Sequence, residues 1–127
     1  MARAVLDASA LLAFVNGERG GDLVAEHLAE AVISSVNFSE AIAKLVARNL
    51  PLAEAVRLIG HTEITVIDFD RSLAEIAGGL IVHTKRFGLS FADRACMALA
   101  GRENVQALTA DRAWARLTVG VDIRVIR

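Results

Sequence analysis

Four carboxylates stand at comparable joints along the chain. Asp7 closes the apolar run that opens "AVLDASALLAF", Glu40 lies in "SSVNFSEA", Asp93 in "GLSFADRA" and Asp111 in "LTADRAW". Three of the four, Asp7, Glu40 and Asp111, come just beyond short apolar runs that read as strands, and Asp93 opens a helix. In a parallel sheet the C-terminal strand ends share one edge, and open α/β sheets bind ligands in the crevice there, where the strand order reverses. Acids from four remote segments would meet at that edge. Anions a few ångströms apart repel and push protons onto one another, and a divalent cation is the simplest remedy. Mg²⁺ and Mn²⁺ prefer hard oxygen ligands, a few of them carboxylates, with water or substrate phosphate in the remaining positions. Such a cation lowers the pKa of a water, orients it at a phosphodiester and stabilises the leaving oxygen. The chemistry implied is phosphodiester hydrolysis.

The same residues have an ordinary structural use. Acids are enriched in first helical turns, where they meet the positive end of the helix dipole, and Asn37-x-x-Glu40 and Ser90-x-x-Asp93 have capping-box spacing. Glu40 can also pair with Lys44 one turn on. For each acid alone capping is the simpler explanation; all four together, two of them bordering buried strands, favour a shared site.

The elements that would position them follow from periodicity. Short Val, Ile and Leu runs at Ala4–Leu6, Val32–Ser34, Ile64–Ile67, Val105–Thr109 and Ile123–Ile126 alternate with segments of helical period. Helices are expected over Ala8–Asn16, Asp22–Glu30, Phe38–Asn49, Leu52–Ile59, Arg71–Arg86 and Ala92–Ala100, with a short one from Arg112 to Arg116. Gly17, Pro51 and Gly101 punctuate helix ends. Strand and helix in alternation imply an α/β fold with a mainly parallel sheet covered by helices. Gly78-Gly79 inside the longest helical segment predicts a kink or a close helix contact. "NGERGGD", Asn16 to Asp22, reads as a mobile loop.

At 127 residues the chain suits one domain spanning 1–127. Its 54% hydrophobic against 23% charged residues exclude a disordered chain, and no apolar run reaches the roughly 20 residues that cross a bilayer. A soluble protein with no membrane partner is expected. The absence of a secretory signal pattern and the single Cys96 fit a reducing cytoplasm, and one cysteine excludes an internal disulfide or a Cys-rich zinc site. The net charge of −1 divides unevenly: residues 1–70 carry −5 and residues 71–127 carry +4. That asymmetry points to a polyanionic partner for the second half.

With "VLDASALLAF", "ISSVNFSEA", "GLSFADRACMALA" and "ALTADRAWA" in this order over nearly the whole chain, the sequence resembles the PIN-domain family and, within it, the VapC-type toxins of bacterial toxin-antitoxin pairs. The resemblance implies a three-layer α/β/α fold and a Mg²⁺- or Mn²⁺-dependent endoribonuclease. It also implies a homodimer inhibited by a small cognate antitoxin, with RNA as substrate. By position Asp7, Glu40, Asp93 and Asp111 match the family's acidic quartet, with Asp7 and Asp93 as principal metal ligands. Ser9 and Asn37 match polar positions that orient those ligands.

Arg94, Arg112 and Arg116 fall beside these acids and are candidates for holding RNA phosphates, since Arg suits bidentate phosphate contacts; Lys85 and Arg86 are harder to place. His27, His61 and His83 show no zinc-site spacing. Cys96 reads as a small buried residue and Trp114 as an anchor for the last helical turn. Phe38, Ile42, Leu45 and Val46 form a stripe suited to core or dimer packing. A phosphatase of the haloacid-dehalogenase kind would want an acid where Ser9 stands, and a receiver domain would want a late lysine that is missing. A PIN-like binding module without catalysis is the remaining alternative.

Overall fold

The computed structural model describes residues 2–127. Five strands, β1 (Ala4–Leu6), β2 (Ala31–Ser34), β3 (Thr65–Ile67), β4 (Gln106–Thr109) and β5 (Ile123–Val125), form one sheet in the order β3-β2-β1-β4-β5. Every pairing is parallel, with Leu6 level with both Ile33 and Leu108. The chain therefore builds outward from β1 in one direction, then returns to the other side of β1 for β4. The order reverses between β1 and β4, and Asp7 lies at the C-terminal end of that boundary.

The strands alternate their side chains between two apolar layers, as the period of two requires. Ala4, Leu6, Ile33 and Leu108 join a core with α1 (Ala8–Val15), α2 (Gly21–His27), α3 (Ser35–Ala47) and α4 (Leu52–Gly60). Val5, Val32 and Ala107 face the opposite layer of α5 (Arg71–Gly79), α7 (Phe91–Glu103) and Trp114. This is the expected three-layer α/β/α arrangement. β1 is buried along its whole length, which explains an apolar run without alternation. Each buried Val or Leu contributes about 1.5–3 kcal/mol.

Helix α7 carries the greatest local burial, with Ala95 to Ala100 all enclosed. Its alanines let this middle stretch approach its neighbours, and a stretch apolar on every side belongs inside a protein. Ser90 and Asp93 form a complete capping box at its start, as their spacing predicts. Gly101 does not end it; the helix continues to Glu103 and stops at Asn104, whose φ of 56° supplies the left-handed turn.

Two other expectations change. The segment Arg71–Arg86 is broken at Leu80 into α5, α6 (Ile81–Thr84) and a 3-10 turn over Lys85–Phe87. Gly78 and Gly79 precede the break, and neither has a neighbour where a Cβ would stand, so they mark a kink and no close helix contact. The helix around Asn37 starts earlier than expected, at Ser35, because Ser34 caps it by accepting from Val36 N–H at 3.2 Å. Asn37 and Glu40 consequently lie inside α3 and do not form a capping box.

Among the described residues no helix is long and apolar enough to cross a membrane. The Asn16–Asp22 loop is tied down. Glu18 N–H reaches Ala13 O at 2.8 Å, and Arg127 contacts both Glu18 Oε1 and Arg19 O.

Candidate metal centre

Asp7 is a buried carboxylate, 5% exposed, in a nest of donors. Its Oδ1 accepts from Ala10 N–H at 2.8 Å, which caps α1, and from Ser9 Oγ at 2.7 Å. Its Oδ2 accepts from Thr109 Oγ1 at 2.5 Å across the β1–β4 boundary. Burial pushes the carboxyl up to about 6, against the opposing pull of the Thr109, Ser9 and Ala10 bonds, and Asp93 adds a smaller push in the same direction. A carboxylate that caps a helix is thus also buried and perturbed.

Ser9 joins two segments of the chain. Besides bonding Asp7, its Oγ accepts from Ala110 N–H at 2.9 Å, tying α1 to the end of β4. Thr109, which sequence reasoning did not single out, holds two acids at once: its hydroxyl donates to Asp7 and accepts from Asp111 N–H at 3.0 Å. The available signal was a lone buried hydroxyl at the end of an apolar strand, two residues before an acid.

Asp93 is half-buried in the first turn of α7, its Oδ2 accepting from Ser90 N–H at 2.9 Å. Glu40, also half-buried, lies on α3, which packs against α7. Asn37 is fully buried one turn before Glu40, and its Nδ2 donates to Ala92 O at 2.9 Å, fastening α3 to the turn that carries Asp93. Its Oδ1 is enclosed with no hydrogen-bond partner among the described residues. Beneath these residues, burial raises the Cys96 thiol well above its ordinary range, and Asp7, Asp93 and Glu40 all add to the rise. Asp111 stands apart: it is exposed and its Oδ1 caps the following turn by accepting from Ala113 N–H at 2.9 Å.

Among the described residues none of the four acids has an ion-pair partner, Lys44 included. The hard oxygen donors and the uncompensated negative charge at Asp7 fit a divalent cation by chemistry. By position they form a neighbourhood and not a closed cage, since no three His, Cys, Asp or Glu side chains among the described residues are set to hold an ion.

The candidate phosphate contacts divide. Arg94 lies beside Asp93, with its Nε enclosed and its guanidinium 5.9 Å from the Phe91 ring centroid. Arg112 Nε donates to Arg127 O at 3.2 Å, so the backbone occupies part of its fork. Arg116 is exposed and lines a cleft with Arg86. Trp114 is fully buried, as an anchor should be.

A family model described as PIN domain matches residues 4–120. No curated protein is a significant match in sequence. Among solved structures, the chain is similar to a DNA-bound VapBC from Salmonella typhimurium, with 19% identity, 98% of each chain covered and a TM-score of 0.75. A toxin-antitoxin complex from Klebsiella pneumoniae is similar at 17% identity, 98% of each chain and a TM-score of 0.72. VapBC-5 of Mycobacterium tuberculosis, a member of the VapBC family of toxin-antitoxin systems, matches at 18% identity over 100% of this chain and 99% of its own, with a TM-score of 0.59. At these identities the likeness is one of fold.

Proposed function

We propose, from the premise that the chain belongs to the PIN-domain family, that it is a metal-dependent endoribonuclease and the toxin of a toxin-antitoxin pair. The observation that carries the reading is the buried Asp7 carboxylate at the crevice where the strand order reverses, with the Asn37–Ala92 bond fastening the helix of Glu40 to the turn of Asp93. The toxin-antitoxin complexes of the same fold supply the biological setting. A cognate antitoxin and a second copy of the chain are the proposed protein partners. Exposed Leu52 and Val56 on α4 are the kind of apolar surface a partner covers.

Asp7 and Asp93 would hold the cation, with Glu40 and Asp111 completing its surroundings directly or through water. A bound Mg²⁺ or Mn²⁺ supplies Lewis acidity for water attack on an RNA phosphodiester. The protein's part is to keep Asp7 fixed and ionised. Ser9, Thr109 and the Ala10 amide hold its two oxygens, so the buried anion needs little rearrangement to meet a charge. Asn37 keeps α3 and the start of α7 in register, which sets the distance between Glu40 and Asp93.

The test is cleavage of a panel of tRNA, ribosomal RNA and unstructured RNA by purified protein. Cleavage with Mg²⁺ or Mn²⁺, stopped by EDTA and lost in Asp7→Asn and Asp93→Asn with an unchanged circular dichroism spectrum, is expected. Undiminished cleavage by both variants would refute the assignment of the site. A PIN-like binding module is the second reading, favoured by the open arrangement of the acids; metal binding without cleavage of any RNA is its outcome.

A further inference from the structure

The structure assigns a phosphate-backbone subsite for a single RNA strand to the cleft between Val82–Phe87 and Arg116–Thr118; this deepens, and rests on, the ribonuclease reading. The cleft, of about 190 Å³, is lined by Val82, His83, Arg86, Phe87, Arg116 and Thr118. That is smaller than the ~300 Å³ at which small-molecule sites usually begin and large enough for a phosphate. Its polar lining residues are two arginines, a histidine and a threonine, with no acidic residue among them.

Two arginines brought together from remote segments repel unless an anion separates them. Among the described residues neither Arg86 nor Arg116 has an ion-pair partner, so the charge is uncompensated. The Arg86 guanidinium stands 4.9 Å from the Phe87 ring centroid, a contact that orients the fork. Arginine forks match phosphate oxygens bidentately, which a lone exposed lysine cannot do.

Position selects RNA over other polyanions. One wall ends at Arg86 and Phe87 and runs on through Gly88, at φ 68°, into the Ser90 cap and Asp93. The other wall starts at Arg116, the last residue of the turn Arg112–Arg116, which begins at its cap Asp111. A 3-10 turn rises ~2 Å per residue, so Arg116 stands about 10 Å along the chain from Asp111. Both walls thus continue from segments that carry candidate acids, and a strand lying at those acids would place a phosphate a few nucleotides away in the cleft.

The experiment is equilibrium binding of a fluorescein-labelled single-stranded RNA in EDTA, titrated with salt. Wild type, the double variant Arg86→Ala/Arg116→Ala and a control, Arg48→Ala/Arg57→Ala just after α3 and on α4, are compared after circular dichroism confirms folding. Loss of one phosphate contact lowers the slope of log K against log salt by about 0.7, with a roughly tenfold weaker affinity. The double variant is expected to show both changes and the control neither. Equal losses in the two variants, or none in either while wild type binds, would overturn the subsite and leave the ribonuclease reading standing. An unchanged RNA slope with lost binding of a polyglutamate peptide would give the cleft to an acidic protein segment, also overturning it. Wild type that neither binds nor cuts RNA would remove both proposals.

Discussion

The hydroxyl of Thr109 donates to Asp7 Oδ2 at 2.5 Å and accepts from the Asp111 N–H at 3.0 Å, so one small side chain links acids at the ends of two neighbouring strands. A bond this short is what a charged acceptor produces. Thr109→Val keeps the shape and removes the donor, leaving a buried carboxylate oxygen without a partner. The expected cost is about 1–3 kcal/mol, read as a lower urea midpoint at unchanged slope, together with weaker ribonuclease activity. Thr109→Ser should recover most of both. Equal stability and activity in wild type and the valine variant would show that the hydroxyl holds nothing.

The neighbourhood of Asp7, Asp93 and Glu40 predicts a metal-dependent rise in stability that activity assays would not isolate. A ligand that binds only the folded state at a hundred times its Kd stabilises it by ~2.7 kcal/mol. Mn²⁺ should therefore raise the unfolding temperature of wild type. Asp7→Asn and Asp93→Asn should abolish the rise. Asp111→Asn should retain most of it, because Asp111 is exposed and its carboxylate already caps a turn. The measurement is thermal unfolding with and without Mn²⁺; an equal rise in all four proteins would place the ion elsewhere.

Much of this arrangement was legible in the sequence because apolar period and capping chemistry are local signals. Asp7 at the end of β1, the Ser90–Asp93 capping box and the five strands all follow from a few adjacent residues. The errors fall where a later cap or a tertiary partner overrides local punctuation. Gly101 is exposed, yet α7 runs on to the left-handed cap at Asn104. Asn37 reads as a cap, yet Ser34 supplies the cap and Asn37 is buried to bond Ala92 O. Thr109 and the Arg86–Arg116 cleft were invisible because each depends on partners remote in sequence.

Asp70 gives a pH dependence separate from the acids at the sheet edge. It caps α5 by accepting from Leu73 N–H at 2.9 Å and pairs with Arg102 on α7 at 2.9 Å. The Leu73 amide, followed by the Arg102 guanidinium, holds its carboxyl below the ordinary range. Since the folded value is depressed, the stabilisation is complete above the unfolded pKa of ~3.9 and is lost as pH falls through the lower folded value. Asp70→Asn should flatten the acid limb of the stability profile below about pH 4 while leaving RNA cleavage unchanged. Urea midpoints measured from pH 2 to 7 check it; parallel profiles for the two proteins would sink it.

The glycines separate positions where the backbone is crowded from those where it is free. A Cβ at Gly21 would stand 2.6 Å from Ala13 O and 3.2 Å from Phe14 Cα, both backbone atoms. Gly21 begins α2 against α1, so the two helices would have to part, and α1 carries the Asp7 cap and Ser9. Gly21→Ala is expected to cost about 1–3 kcal/mol, the range for overpacking, and to lower activity through the displaced start of the site. Gly78 is the matched opposite: it lies in α5 with nothing within 4 Å of its missing Cβ. Gly78→Ala should stabilise by about 0.4–1 kcal/mol, chiefly by restricting the unfolded chain, with activity unchanged. Urea unfolding of both variants, with RNA cleavage in parallel, decides the matter. A neutral Gly21→Ala would mean that α1 and α2 separate freely, and the site would then owe little of its geometry to that contact.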